Sequence, residues 1–267
     1  MNDFSKSAKP VLSSTMLLLK GEDAPTVLMV KRHYQIDFAS GAMVFPGGKV
    51  SSDDHRDDWE GWYHGTYSDD ELAARIGGVR EVFEESGILL ATRKGDPAGK
   101  FVGQSVCNEL AEFRSPVDRG EMSFLELVQK YELKLDLTDV QPYAHWITPD
   151  FMPKRFDTRF YVARAPEGQE ALHDGRETTE AVWVTPTEVL EKAGAGEAKL
   201  LFPTRVNLER LEDLGSVSAI CEFAQPQNVV TVLPVVESDE TGKFLRIPKA
   251  AGYRVTTEPL ERVMKTV

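Results

Sequence analysis

The chain has only two cysteines, Cys107 and Cys221, in 267 residues. That excludes a disulfide framework and a cysteine-built zinc site, and it makes a reducing, cytoplasmic setting the expectation. Long hydrophobic runs are missing as well. No stretch approaches the roughly 18 apolar residues of a membrane span, so no membrane partner is expected. The opening Met1-Asn2-Asp3-Phe4-Ser5-Lys6 is polar and mixed in charge, without an apolar signal segment behind it. Positive charge is in deficit: 31 Lys and Arg stand against 43 Asp and Glu, a formal charge of −12. Nucleic-acid backbones reward clustered cations, so no nucleic-acid partner is expected. There is no internal repeat and no low-complexity tract. What is present, 41% hydrophobic and 28% charged residues, is a globular composition with ample material for a core.

The informative stretch is Arg80-Glu81-Val82-Phe83-Glu84-Glu85-Ser86-Gly87-Ile88. Glutamates spaced i, i+3, i+4 are neighbours on a helix surface. Three close carboxylates repel one another unless a cation sits among them, and Mg²⁺ or Mn²⁺, which prefer oxygen ligands and bridge phosphates, suit that place. On charge alone the same trio is a solvated acidic face. Ser68 followed by Glu71 reads as a capping box that starts the helix at about Asp69. Leu72, Ile76, Val79 and Phe83 form its buried stripe, which leaves the glutamates on the other side. Gly87 falls where a left-handed C′ residue ends a helix. Upstream, the turn Phe45-Pro46-Gly47-Gly48 is placed to bring backbone close to the carboxylates. An acidic chain that acts on an anionic phosphate substrate needs a local solution: metal ions in the cluster and a few placed arginines.

Strands are expected over 13–20, 26–32, 88–92, 142–148, 156–163 and 181–184. Two helices are expected within 101–133, and others over 186–192, 204–214 and 216–223. An acidic, aromatic stretch at 51–67 reads as an insertion, and 228–247 as a hairpin turning at Thr241-Gly242. The irregular mixture of strands and helices favours an α/β sandwich.

Together, Phe45-Pro46-Gly47-Gly48 and the segment 80–88 resemble the Nudix hydrolases, whose box is G-x5-E-x7-R-E-U-x-E-E-x-G-U, with U a bulky aliphatic residue. The second half fits at every specified position. From Gly48 the distance to Arg80 is 18 residues longer than the pattern. Leu72 stands where a rival frame from Gly65 wants glutamate, and Glu71 is the substitute partner considered for Arg80. Leu28, Arg32, Gly41 and residues 45–48 also fall in register with a coenzyme A diphosphatase motif, in which Val30, His33 and Asp37 replace three motif residues. The long gap inside the box, Arg155-Phe156-Asp157-Thr158-Arg159-Phe160 and Leu201-Phe202-Pro203-Thr204 are similar to the peroxisomal subgroup of those enzymes, although Lys265-Thr266-Val267 is not a convincing peroxisomal signal.

The resemblance implies a Nudix-type α/β/α sandwich with a mixed sheet, helical insertions and a C-terminal extension. The catalytic domain would span 11–200, with insertions at about 51–67 and 101–133, and the extension 201–267. It implies metal-dependent hydrolysis of a diphosphate bond in a nucleoside diphosphate linked to another group. Coenzyme A or an acyl-coenzyme A leads. A nucleotide sugar or dinucleotide is the alternative, and a non-catalytic nucleotide sensor is the alternative of another class. Glu84 and Glu85 would be principal ligands of Mg²⁺ or Mn²⁺, Glu81 a further one, and the Gly48 carbonyl a fourth donor, with Arg80 orienting the cluster. Glu177 or Glu180 would supply the general base; a surface carboxylate is the plainer reading of either. Arg32 is assigned to substrate phosphate. Arg155 and Arg159 are candidates for a phosphate clamp or for ordinary salt bridges. The family often forms homodimers. Asp53, Asp54, His55, Asp57 and Asp58 read as a solvated loop, Trp59, Trp62 and Tyr63 as packing residues, and His145 as a packed strand histidine.

Overall fold

The computed structural model describes residues 8–34, 39–224, 229–240 and 242–266. Residues 1–6, Asp37, Asn228 at the start of the expected hairpin, Thr241 and Val267 lie outside them. The apolar runs near the start form β1 (Val11–Lys20) and β2 (Thr26–Arg32). Successive side chains of a strand point to opposite faces. Met16 and Leu18 therefore enter one core and Leu17 and Leu19 the other, each at most 1% exposed. A strand buried on both faces belongs in the middle of a covered sheet. β3 (Met43–Val44) pairs with β2, and β4 (Gly47–Lys49) with β1.

After the short β5 (Tyr63–His64) comes α1 (Asp69–Ser86). It begins where expected, at N-cap Ser68, and ends at Gly87 with φ 73°, whose N–H donates to the Phe83 carbonyl. The capping box does not form: the Ser68 hydroxyl donates to the Glu71 carboxylate at 3.3 Å instead of capping the backbone. Gly78 lets α1 press onto β1, since a Cβ there would lie 2.6 Å from the Ser14 hydroxyl.

β6 (Ala91–Arg93) is shorter than the strand expected at 88–92. The amphipathic stretch at 101–133 holds α2 (Gln104–Leu110), α3 (Arg114–Asp118) and α4 (Phe124–Lys130), one helix more than expected. β7 (Leu133–Asp136) was not anticipated; it pairs with β5 and β6 in a small sheet. β8 (Gln141–Ile147), β9 (Phe156–Arg164) and β10 (Thr178–Val184) follow, then α5 (Pro186–Gly194), α6 (Phe202–Leu214), α7 (Val217–Ala224) and β11 (Thr231–Val232).

The main sheet runs β10-β2-β1-β9-β8-β11. β1 lies parallel to β9 and antiparallel to β2, so the sheet is mixed, as expected. One face packs on α1 and the inserted helices through Val79, Phe83, Leu110 and Phe124. The other packs on α5, α6 and α7 through Val189, Leu208, Leu211 and Ile220. These layers are the α/β/α sandwich. The expected hairpin is present as β12 (Val235–Asp239) and β13 (Gly242–Arg246), continued by β14 (Thr257–Pro259) and α8 (Leu260–Thr266). It is tied to α6 by Arg205, which bonds Glu258 at 2.5 Å and Glu209 at 2.6 Å.

Trp59, inside the 51–67 stretch, is 1% exposed and lies 6.1 Å, ring to ring, from Phe124. Removing so large a buried ring leaves a cavity, so Trp59→Ala is expected to lower unfolding free energy in urea by about 3–5 kcal/mol. A loss below about 0.5 kcal/mol, the scale of a surface change, would show that the segment is peripheral.

Candidate active site

Helical spacing puts Glu81, Glu84 and Glu85 on one stripe of α1, and the fold then closes over that stripe. β4 and the turn at Asp53–His55 pack against it, so the three carboxylates are only 4–8% exposed. A solvated acidic face is thereby excluded. Arg80 stands among them. Its Nη1 donates to Glu81 at 3.1 Å and to Glu84 at 2.9 Å, and its Nη2 to the Lys49 carbonyl at 2.7 Å. Glu85 turns the other way and accepts from the Gly47 N–H at 3.1 Å. Gly48 lies against the Glu81 carboxylate, and a Cβ there would collide with it. Only glycine lets the turn approach so closely.

The partner of Arg80 is Asp54. Nε donates to Oδ1 at 3.1 Å and Nη2 to Oδ2 at 3.1 Å, a paired contact with a carboxylate 1% exposed. Asp54 is also fixed by the Ser51 N–H at 2.8 Å. This corrects two expectations. Asp54 is not part of a solvated loop, although His55, Asp57 and Asp58 are exposed. Nor does Glu71 serve Arg80, because its carboxylate is engaged by Ser68. Asp54 lies six positions after Gly48, the interval the Nudix pattern gives its first glutamate, so the extra length falls between Asp54 and Arg80. The signal was in the chain, disguised as the shorter carboxylate.

Two further residues escaped sequence reading. Arg114 donates to the Glu84 carbonyl at 2.9 Å and to the Phe83 carbonyl at 3.1 Å, satisfying groups that every helix end leaves unpaired. It thereby holds the end of α1 that carries Glu84 and Glu85. Asp174 accepts from the N–H groups of Glu177 at 3.0 Å and Thr178 at 2.9 Å, which shapes the loop entering β10. Arg114 acts across 30 residues of sequence with no local pattern to announce it, whereas Asp174 bonds backbone three and four residues on, the kind of turn that the step Asp174-Gly175 signals.

A cleft of about 780 Å³ opens over this cluster. Arg80, Glu81, Glu84, Gly47, Gly48, Arg32, Asp118 and Glu177 line one end, while Glu85 lies behind Gly47. Of the two base candidates, Glu177 faces the cleft; Glu180 pairs with Lys31 at 2.9 Å and does not line it. Of the arginines, Arg32 lines the cleft, and its buried Nε has no hydrogen-bond partner among the described residues. Arg155 and Arg159 do not line it. Arg155 donates to the carbonyls of Thr148 and Ala8, and Arg159 lies 3.5 Å from Asp157, so alternation along β9 and its flank turns both to structural contacts. His145 is held between Asp157 and Thr231, as a packed strand histidine.

Burial, opposed by Arg80, pushes the Glu81 carboxyl up to about 7. Burial and the charge of Glu81 push Glu84 up to about 8 and Glu85 well above the ordinary range. Burial works against the Arg80 charge, but Glu81, Asp54 and Glu84 outweigh it and hold the guanidinium protonated. Burial and the charge of Asp118 raise Glu177. Among the described residues no three His, Cys, Asp or Glu side chains converge as a finished metal shell; Arg80 bridges Glu81 and Glu84 instead. Even so, four buried carboxylates outnumber the one guanidinium that bridges them, so their deprotonation calls for a cation, and every donor is a hard oxygen. The residues fit a divalent cation of the Mg²⁺ or Mn²⁺ type.

A family model described as the NUDT19 Nudix domain matches residues 63–211. The chain belongs to this family and is a Nudix hydrolase. It is 26% identical to the acyl-coenzyme A diphosphatase NUDT19 of Homo sapiens over 282 residues, covering 90% of this chain and 75% of that protein. The Xenopus laevis protein of the same name is 24% identical over 264 residues, covering 83% and 70%. A NUDIX hydrolase structure from Alicyclobacillus acidocaldarius shares the fold with a TM-score of 0.69 at 21% identity, covering 83% of this chain and all of that one.

Two predictions follow from the charge balance. Asp54→Ala leaves a buried guanidinium short of its partner and is expected to cost about 3–5 kcal/mol in urea unfolding, whereas Asp57→Ala, on the exposed side of the same turn, stays within about 0.5 kcal/mol. Equal effects would contradict the pairing. Glu81 and Glu84 have folded-state values near 7 and 8, above an ordinary 4.5. Their contribution is therefore full below about pH 4.5 and lost as pH rises through about 7 to 8. Without divalent cations, Tm is expected to fall across that window, and Glu84→Gln to flatten the fall; the same slope in both proteins would refute the assignment.

Proposed function

We propose that the protein hydrolyses the diphosphate bond of coenzyme A or an acyl-coenzyme A, in a metal-dependent reaction that yields 3′,5′-ADP and a phosphopantetheine product. The observation that carries this reading is the cleft itself. Its polar end joins the buried carboxylates to the unpartnered Arg32 Nε, and the chain's relatives include acyl-coenzyme A diphosphatases.

Glu84 and Glu85, with Glu81 and the Gly48 carbonyl, would hold Mg²⁺ or Mn²⁺. When bound, such ions polarise phosphoryl oxygens, acidify water and stabilise the departing phosphate. Arg80, locked by Asp54, keeps Glu81 and Glu84 in position without contacting substrate. Arg32 binds the diphosphate or the 3′-phosphate, where a planar cation suits phosphate oxygens. Glu177 is the general base. It takes a proton from the attacking water as oxygen bonds to phosphorus and the bridging P–O bond breaks. Its raised affinity for a proton suits that task near neutral pH.

The test is product analysis with Mg²⁺ or Mn²⁺ on coenzyme A, acetyl-coenzyme A, NADH, ADP-ribose, UDP-glucose and a dinucleoside polyphosphate. Coenzyme A forms are expected to be cleaved, with Glu177→Gln about 10²- to 10⁴-fold slower and Glu180→Gln near wild type. Cleavage of another substrate alone would discard the coenzyme assignment. Ligand binding without turnover on any of them would identify a sensor.

A further inference from the structure

The cleft continues beyond the carboxylates into an arm whose walls change character. Phe45, Trp146, Phe160 and Phe202 line it, each at most 6% exposed. The last part of the C-terminal extension closes the arm with Pro234, Leu245, Val263 and Thr266, three apolar side chains and one hydroxyl. We infer that this extension is a specificity wall, and that the arm it closes takes an alkyl chain carried by the substrate. This deepens the function proposed above and rests on it.

Three observations select an alkyl chain over a nucleobase. Two of the arm's rings are already engaged: Trp146 meets Phe202 edge-on at 5.8 Å and Tyr253 at 5.5 Å. Both rings are thereby fixed in the wall and are not free to turn onto a base. From Pro234 on, the extension offers the arm one hydroxyl, which already donates to the Val263 carbonyl at 2.9 Å, so ring nitrogens of a purine would be desolvated against this wall without partners, a cost a methylene chain does not incur. Finally, the wall is fixed before any ligand arrives. The Tyr253 hydroxyl accepts from Trp146 Nε1 at 2.9 Å and donates to Asn207 at 2.8 Å, Arg205 grips Glu258, and Leu245 is 2% exposed. A pre-formed apolar arm discriminates by length, because each methylene that enters gains transfer free energy until the end wall stops it.

The experiment measures kcat/KM for acyl-coenzyme A esters of increasing chain length in wild type, Val263→Phe, Val263→Ala and Val236→Asn. In parallel, binding of a fluorescent fatty-acid analogue to each protein is titrated. In wild type, kcat/KM is expected to rise up to roughly fourfold for each added methylene until the arm fills. Val263→Phe fills the arm and is expected to lower the long-to-short ratio about tenfold and weaken the probe, whereas Val263→Ala shifts the optimum to longer chains. Val236, exposed and outside the cleft, controls for general effects on the extension, and its variant keeps the wild-type ratio. A long-to-short ratio and probe affinity unmoved by Val263→Phe would overturn the inference. So would equal slowing of every ester and of coenzyme A itself. If no coenzyme A form is cleaved but Val263→Phe still weakens the probe, the arm stands and the proposed reaction falls.

Discussion

Arg80 pairs with three buried carboxylates at once, Asp54, Glu81 and Glu84, with Glu85 buried beside them, and much of the surrounding architecture serves to keep that group together. Burying like charges is unfavourable, and a fold tolerates it only where fixed dipoles and counter-charges compensate. Here the compensation comes from distant parts of the chain. β4 supplies the Gly47 N–H to Glu85, the turn after it supplies Asp54, and the inserted α3 supplies Arg114 to the end of α1. Each contribution requires α1 to lie close against β1, which Gly78 permits. The compensation is incomplete, and in the proposed function divalent cations would supply the rest.

The sandwich layers were legible because β1, β2 and α1 carry strong periodic patterns, and the end of α1 because glycine marks it. The carboxylate stripe was legible from spacing. Its burial was not, since the residues that cover it arrive from Asp53–His55 and from the loop before β10, which lack periodicity. Asp54 was obscured by chemistry rather than position: aspartate in a place where glutamate is usual, within an acidic run that resembles a solvated loop. The unanticipated β7 has the same cause in reverse. Four residues, Leu133–Asp136, are too few for alternation to declare a strand, and pairing with β5 and β6 decides it. Glu177 and Glu180 could not be separated by sequence because both flank the start of β10; the Asp174 bonds and the Lys31 pair separate them.

The cleft unites regions that are remote in sequence. Its polar end is built from β2, β4, α1 and the loop before β10, and its apolar arm from β8, β9, the start of α6 and the extension. The buried Arg205–Glu209–Glu258 network and the Trp146–Tyr253–Asn207 chain tie that extension to the layer behind the sheet. Such polar links add specificity of placement more than stability, which suits a wall whose position matters.

The proposed metal site is a buried carboxylate group that holds protons when empty and would release them to divalent cations. The most direct measurement is calorimetric titration of Mn²⁺ in buffers of different ionisation enthalpy, which counts protons released on binding. With Glu81 and Glu84 holding protons up to about 7 and 8, binding near neutral pH is expected to release protons, fewer at higher pH, and to weaken sharply in Glu84→Gln. Saturable binding with no proton release, and with the same affinity in Glu84→Gln, would contradict the account.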